Sequence, residues 1–121
     1  MEDQSRPHER RRSVRLRASC PCTYTRFDDD GNPYDQRPSR SVNLSLAGVA
    51  LQSDFPVETG ETLKISMALG DDQISFRGKV VHVTPTEDQA FRFGISIGDI
   101  GKMDKIALTR FIYYFKPFKA S

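Results

Sequence analysis

A small antiparallel β-barrel or sandwich with one C-terminal helix is the fold class this chain predicts, on three observations. About six short segments of alternating apolar and polar residues recur at roughly ten-residue spacing; turn residues, not helical stretches, separate them; and the last segment switches from a period of two to steps of three and four. At 121 residues the chain has the length of one domain, enough for a modest core without staples.

Residues 1–9 are polar and are expected to be mobile until something orders them. Cys20 to Phe27 alternates and is rich in Thr and Tyr, a strand pattern, and Asp28-Asp29-Asp30-Gly31-Asn32-Pro33 follows as a dense turn signal. The return strand is expected over Arg37 to Leu44. A short apolar strand, Gly48 to Gln52, leads through the turn residues of Phe55 to Glu61 into a strand over Thr62 to Leu69, and Gly70-Asp71-Asp72 turns the chain again. From Ile74 to Val83 the face Ile74, Phe76, Gly78, Val80, His82 alternates with Ser75, Arg77, Lys79, Val81, Val83. Phe91, Phe93, Ile95 and Ile97 alternate likewise with Arg92, Gly94 and Ser96, the pattern of half-buried antiparallel strands.

Met103, Ile106, Ala107, Phe111, Tyr114 and Phe115 then recur at helical steps, with Lys102, Lys105, Thr109 and Arg110 opposite, and Pro117 stops the pattern. This is an amphipathic helix of about 15 residues. Its aromatic stripe is expected to pack on the barrel, and any exposed part of it is a dimer or partner surface.

Net charge is only +2, yet six of the twelve arginines fall in the first seventeen residues, opposed there by Glu2, Asp3 and Glu9. The basic character is therefore local, which argues against a surface that coats nucleic acid in bulk. The chain has no apolar run of the roughly 18 residues a membrane helix needs, and its arginine-rich start lacks the apolar stretch of a signal peptide. A cytoplasmic protein without a membrane segment is expected. Cys20 and Cys22 flank Pro21; at two residues apart on a strand they lie about 6.5–7 Å from each other, the edge of disulfide reach. With no second Cys pair, and His8 and His82 far apart, no metal site is expected, and two buried thiols on the first strand are.

The segment Glu9-Arg10-Arg11-Arg12-Ser13-Val14-Arg15 and the segment Asn43-Leu44-Ser45-Leu46-Ala47-Gly48, one strand pair downstream, read together as one site. Arginine is used throughout the first. Its planar fork gives paired hydrogen bonds to phosphate or to the O6/N7 edge of guanine, and its flat face stacks on a base. Alone, such a run is also what a solvated basic tail looks like. Asn43 and Ser45, two apart, are expected on one strand face, and Gly48 is expected to hold a special backbone angle or admit a ligand to the main chain. A side-chain-capped turn without a ligand is the alternative.

Arg-Arg-x-x-x-Arg at Arg10, Arg11 and Arg15 ahead of a first strand, Asn-x-Ser-x-x-Gly at Asn43, Ser45 and Gly48 between the second and third, six short strands and a terminal helix together resemble a PilZ domain, over nearly the whole chain from Glu9 to about Phe115. The resemblance implies a mainly-β fold, a six-stranded antiparallel PilZ-type barrel with one C-terminal α-helix. It divides the chain into a flexible tail (1–9), the barrel with its arginine switch segment (10–100) and the helix (101–116). It implies a single-domain receptor for the bacterial second messenger cyclic di-GMP, with Arg11 and Arg15 wrapping phosphate and guanine. Arg10, a cation at the position before that pair, tilts the expectation toward an intercalated pair of ligands. Many relatives carry Asp where this chain has Asn43; an amide offers one acceptor oxygen where a carboxylate accepts from both guanine N1–H and N2–H, so lower affinity is implied.

Such a ligand, bridging tail and barrel, is expected to order the tail over the barrel and so change a surface seen by an effector protein. The output surface is expected on the helix, Met103 to Phe115, or the loop Asp28 to Gln36, with the cellular process, among those the family serves such as motility or biofilm formation, unspecified, like the oligomeric state. No catalytic set can be assembled from two isolated histidines and turn carboxylates, so no enzyme and no cofactor beyond the ligand are expected. Two other readings stand: a PilZ-like scaffold that acts only through protein contacts, and a small barrel that binds single-stranded nucleic acid by stacking bases on Phe76, Phe91 and Phe93.

Overall fold

Alternating side chains bury one side of each strand and leave the other to water, and short turns keep neighbouring strands antiparallel. The computed structural model describes residues 14–114. In chain order it contains β1 (Leu16–Arg17), β2 (Pro21–Phe27), β3 (Pro33–Leu44), β4 (Gly48–Ser53), β5 (Thr62–Leu69), β6 (Asp72–Pro85), β7 (Phe91–Ile100) and α1 (Lys102–Tyr114). The ring β3-β2-β5-β6-β7-β4 closes because β4 pairs with β3 as well as β7. This is the expected six-stranded antiparallel barrel, which closure frees of open edges. β1 is a two-residue addition outside the ring, laid on β3 at Leu16↔Leu44 and Arg17↔Asn43.

Strand β3 makes room for that addition by changing partner. From Pro33 to Arg40 it pairs with β2; by Asn43 it pairs with β1 on that side, while β4 stays on the other from Arg40 to Leu44. Ser41 pins the changeover. Its N–H donates to the Cys20 carbonyl at 3.0 Å, and its Oγ accepts from the Cys20 N–H at 2.8 Å and donates to the Ala18 carbonyl.

Tyr24, Leu44, Leu51, Leu63, Ile65, Met67 and Phe93 fill the barrel with no solvent exposure. A fully buried Leu, Ile, Met or Phe contributes about 1.5–3 kcal/mol relative to the exposed side chain. Tyr24 meets Phe93 edge to face, centroids 5.6 Å apart, and its hydroxyl donates to the Phe55 carbonyl at 3.1 Å. Cys20 and Cys22 are buried free thiols, and Cys22 Sγ donates to the Cys20 carbonyl at 3.2 Å. Burial pushes both thiols up, Cys22 to about 12, so both are protonated at neutral pH.

Three expectations need correction. β3 begins at Pro33, not Arg37. β6 keeps its expected inward face only to Val80: its register on β7 slips between Val80 and His82, so Val81 and His82 both emerge to solvent and Val83 returns to the core side. The helix packs on a stripe that keeps only Ala107 and Phe111 of the expected one. Met103, Ile106 and Tyr114 face out, while Leu108 and Ile112 are buried with Ala107 and Phe111 beside them. Asp104 decides between the stripes, because its Oδ2 accepts the Ser75 N–H at 3.2 Å. With Asp104 toward the barrel, the residues three, four, seven and eight further on follow it there. Phe115 lies outside the described residues.

Candidate functional site

The chain enters the barrel through β1, and this short strand sets Arg17 opposite Asn43. Two residues earlier the Arg15 guanidinium turns to the same amide, Nη1 donating to Asn43 Oδ1. The two segments expected to form one site therefore touch. Arg10 and Arg11 lie outside the described residues. Asn43 is available because β3 bulges: its register on β4 slips between Ser41 and Asn43, which leaves Asn43 half-buried on the wall between inward-facing Ser41 and Leu44.

Ser45 and Gly48 are placed differently from the expectation. Ser45 falls just past the end of β3 and is 1% exposed, so it does not share an open face with Asn43. Its Oγ donates to the Gly48 carbonyl at 2.9 Å and accepts from the Gly48 N–H at 3.0 Å and the Ala47 N–H at 3.3 Å. The hydroxyl is fully used in closing the β3–β4 turn. Gly48 has no left-handed backbone angle; it is needed because a β-carbon there would stand 2.5 Å from the Ile95 carbonyl oxygen on β7. The turn is thus rigid, and Asn43 sits at its entrance.

From Asn43 a row of outer-wall positions crosses the sheet: Asn43 on β3, Ala50 on β4, Gly94 on β7 and His82 on β6. A β-carbon on Gly94 would lie 2.2 Å from His82 Nε2, so the imidazole rests directly against that backbone. Half-buried Ala50 and the imidazole lying on buried Gly94 make a shallow floor that runs from the Arg15-bound amide to an exposed ring. Sequence reasoning did not single out His82, having set it on one face with Ile74, Phe76 and Val80. The signal was the run Val80-Val81-His82-Val83, in which two adjacent valines break the polar side of the alternation.

Among the described residues no group of three His, Cys, Asp or Glu could hold a metal ion, and no helix is long and apolar enough to cross a membrane. Phe76 and Phe93 are buried and Phe91 packs on the core, so none is free to stack on a base.

Comparisons with known proteins place the fold. The inhibitor of motility MotI/DgrA of Bacillus subtilis matches at 19% identity and TM-score 0.68, over 83% of this chain and 48% of that one. The PilZ domain of Escherichia coli YcgR, solved with c-di-GMP, matches at 17% identity and TM-score 0.65, over 86% and 89%. The PilZ domain of CeSA from a cellulose-synthesizing bacterium matches at 14% identity and TM-score 0.63, over 84% and 96%. This chain spans about half the length of the Bacillus protein, and all of the YcgR domain but a tenth or so. A search of curated proteins gives no match. A family model described as PilZ domain matches residues 9–114, most of the chain, and with the closed barrel, the terminal helix and the Arg15–Asn43 contact this shows that the chain belongs to the PilZ domain family.

Proposed function

We propose that this chain is a receptor for cyclic di-GMP. The observation that carries the reading is the Arg15–Asn43 contact, which joins the arginine segment to the Asn-x-Ser-x-x-Gly turn at one place on the wall. That the YcgR domain, alike in fold, was solved with c-di-GMP supports it. Arg15 grips phosphate or a guanine edge, and Arg10 and Arg11 join it from the segment ahead of β1. Asn43 reads the base; Ser45 and Gly48 act by fixing the turn that presents it. Ala50 and the His82 ring that lies on Gly94 are the floor. Arg10 tilts the bound form toward an intercalated ligand pair.

Binding draws the arginine segment onto the wall and changes the surface an effector protein meets. Exposed Met103, Ile106, Tyr113 and Tyr114 on α1 favour the helix over the Asp28–Gln36 loop as that surface.

Calorimetric titration with cyclic di-GMP, beside Arg11→Ala and Arg15→Ala, tests the reading. Saturable micromolar or tighter binding that both variants lose is the expected result, and the stoichiometry separates one ligand from two. No heat from the wild type defeats the receptor and leaves a protein-contact scaffold. A steeply salt-dependent response to any oligonucleotide favours the nucleic-acid reading.

A further inference from the structure

Three arginines on the wall beside the Arg15–Asn43 contact have no carboxylate partner among the described residues, and they line one groove. Elsewhere this chain pairs or covers its wall arginines. Arg26 is held by Glu61 at 2.6 and 3.1 Å with Asp35 at 3.6 Å, Arg37 has Asp35 at 2.9 Å, and Arg77 lies over the Phe27 ring at 4.8 Å. Arg17, Arg40 and Arg92 form no ion pair among the described residues. Arg40 is fixed without being neutralised: Nε donates to Ser19 Oγ at 2.8 Å and Nη2 to the Ser19 carbonyl at 3.4 Å. Arg92 Nη2 donates to Gln52 Oε1 at 3.1 Å.

Strand register aligns these groups. Arg40 stands opposite Gln52, and Gln52 opposite Arg92, so β3, β4 and β7 each give one residue to a row. With Arg17 it bounds a groove of about 820 Å³, whose rim carries Asp54 as its one carboxylate among the described residues. Ser39, buried in the lining beside the Cys22 thiol, has no oxygen or nitrogen partner for its hydroxyl among the described residues. Ligand sites run from about 300 to 1,000 Å³. Guanidiniums brought into one concavity repel each other, and an anion relieves the repulsion.

Position then limits the ligand. The row Arg40–Gln52–Arg92 lies two residues along β4 from the row Asn43–Ala50–Gly94, about 7 Å away. Arg17 belongs to both neighbourhoods, paired with Asn43 and lining the groove. A molecule with two phosphates and two purines on one small ring, seated at Arg15–Asn43 by one half, brings its other half there. We infer that the groove is a second phosphate-and-guanine subsite for the same bound cyclic di-GMP, with Arg17 and Arg40 on phosphate and the Gln52–Arg92 pair on the base edge. This rests on the receptor reading above.

The test is calorimetric titration of cyclic di-GMP into the wild type, Arg40→Ala, Arg92→Ala and, as a control outside the groove, Arg77→Ala, with thermal unfolding of each. Expected is a loss of affinity of about tenfold or more in Arg40→Ala and Arg92→Ala, as for a removed charge-assisted hydrogen bond. Stoichiometry is unchanged, Arg92→Ala melts as the wild type does, and Arg77→Ala binds as the wild type does. Wild-type affinity in both groove variants overturns the subsite and leaves the receptor standing. A fall in stoichiometry with the remaining affinity intact also overturns it, because the groove then holds a separate molecule. A wild type that gives no heat overturns both.

Discussion

Arg15 and Asn43, 28 residues apart in sequence, are joined by a hydrogen bond from guanidinium to amide oxygen beside the point where β3 exchanges one neighbour for another. The amide partner is neutral, so the Arg15 guanidinium keeps its full positive charge beside the turn.

Replacing that amide is the first prediction. Asn43→Asp is expected to tighten cyclic di-GMP about tenfold, because a carboxylate accepts from guanine N1–H and N2–H together, and Asn43→Ala to weaken it about tenfold. Calorimetry on the three proteins gives the order; an Asp variant no tighter than the wild type means that Asn43 does not read the base.

Ser45 and Gly48 should report on stability first. Ser45→Ala deletes a buried hydroxyl that closes the turn with three hydrogen bonds and is expected to cost about 1–3 kcal/mol. Gly48→Ala sets a methyl 2.5 Å from the Ile95 carbonyl and is expected to cost about 1–3 kcal/mol or to shift β4 off β7. Urea unfolding midpoints check both.

Gly94→Val is expected to separate the site from the fold. The new β-carbon displaces the His82 ring, which is exposed and has room to swing away, so the unfolding midpoint moves little. The floor beside Asn43 is then covered, and affinity for cyclic di-GMP is expected to fall more than about tenfold, by analogy with the cost of lost contact in a site that excludes bulk. Undiminished binding in a folded Gly94→Val protein places the ligand elsewhere.

Cys22 makes the barrel alkali-sensitive. Its folded pKa, raised first by burial and then by Cys20, stands at about 12 against 9.0 for the free group. The protonated thiol is the form that folding favours, so its contribution is whole below pH 9.0 and is lost as pH climbs from there toward about 12. Tyr24, raised by burial, acts in the same sense. Urea midpoints should be level from about pH 7 to 8.5 and fall by about pH 10, less steeply in Cys22→Ala, and a thiol reagent should leave the native protein unmodified near pH 8.

Strands were legible wherever alternation ran without interruption. Thr62–Leu69 matches the expected strand at both ends, and the Tyr24, Ile65 and Phe93 faces are buried as their period required. What the period could not show was a single inserted residue. The slips at Ser41/Asn43 and Val80/His82 each turn one side chain to the other face, and both set the floor of the site. Helix α1 carried two apolar stripes that share Ala107 and Phe111, one adding Met103, Ile106 and Tyr114 and the other Leu108 and Ile112, and the choice rested on a contact from Asp104 to Ser75, 29 residues away. The pairing of Arg15 with Asn43 was readable because each lay in a motif; Arg40, Gln52 and Arg92 lay in none, and only strand register assembles them.

Because the six-stranded ring closes without β1, the scaffold does not depend on the stretch of chain that brings Arg15 to Asn43. The barrel draws its cohesion from a core to which β1 adds only a half-buried Leu16, so substitution of the exposed Arg15 or Arg17 leaves the scaffold intact. Lineages descending from such a protein can vary Arg15 and Arg17 by single substitutions without rebuilding the barrel beneath them.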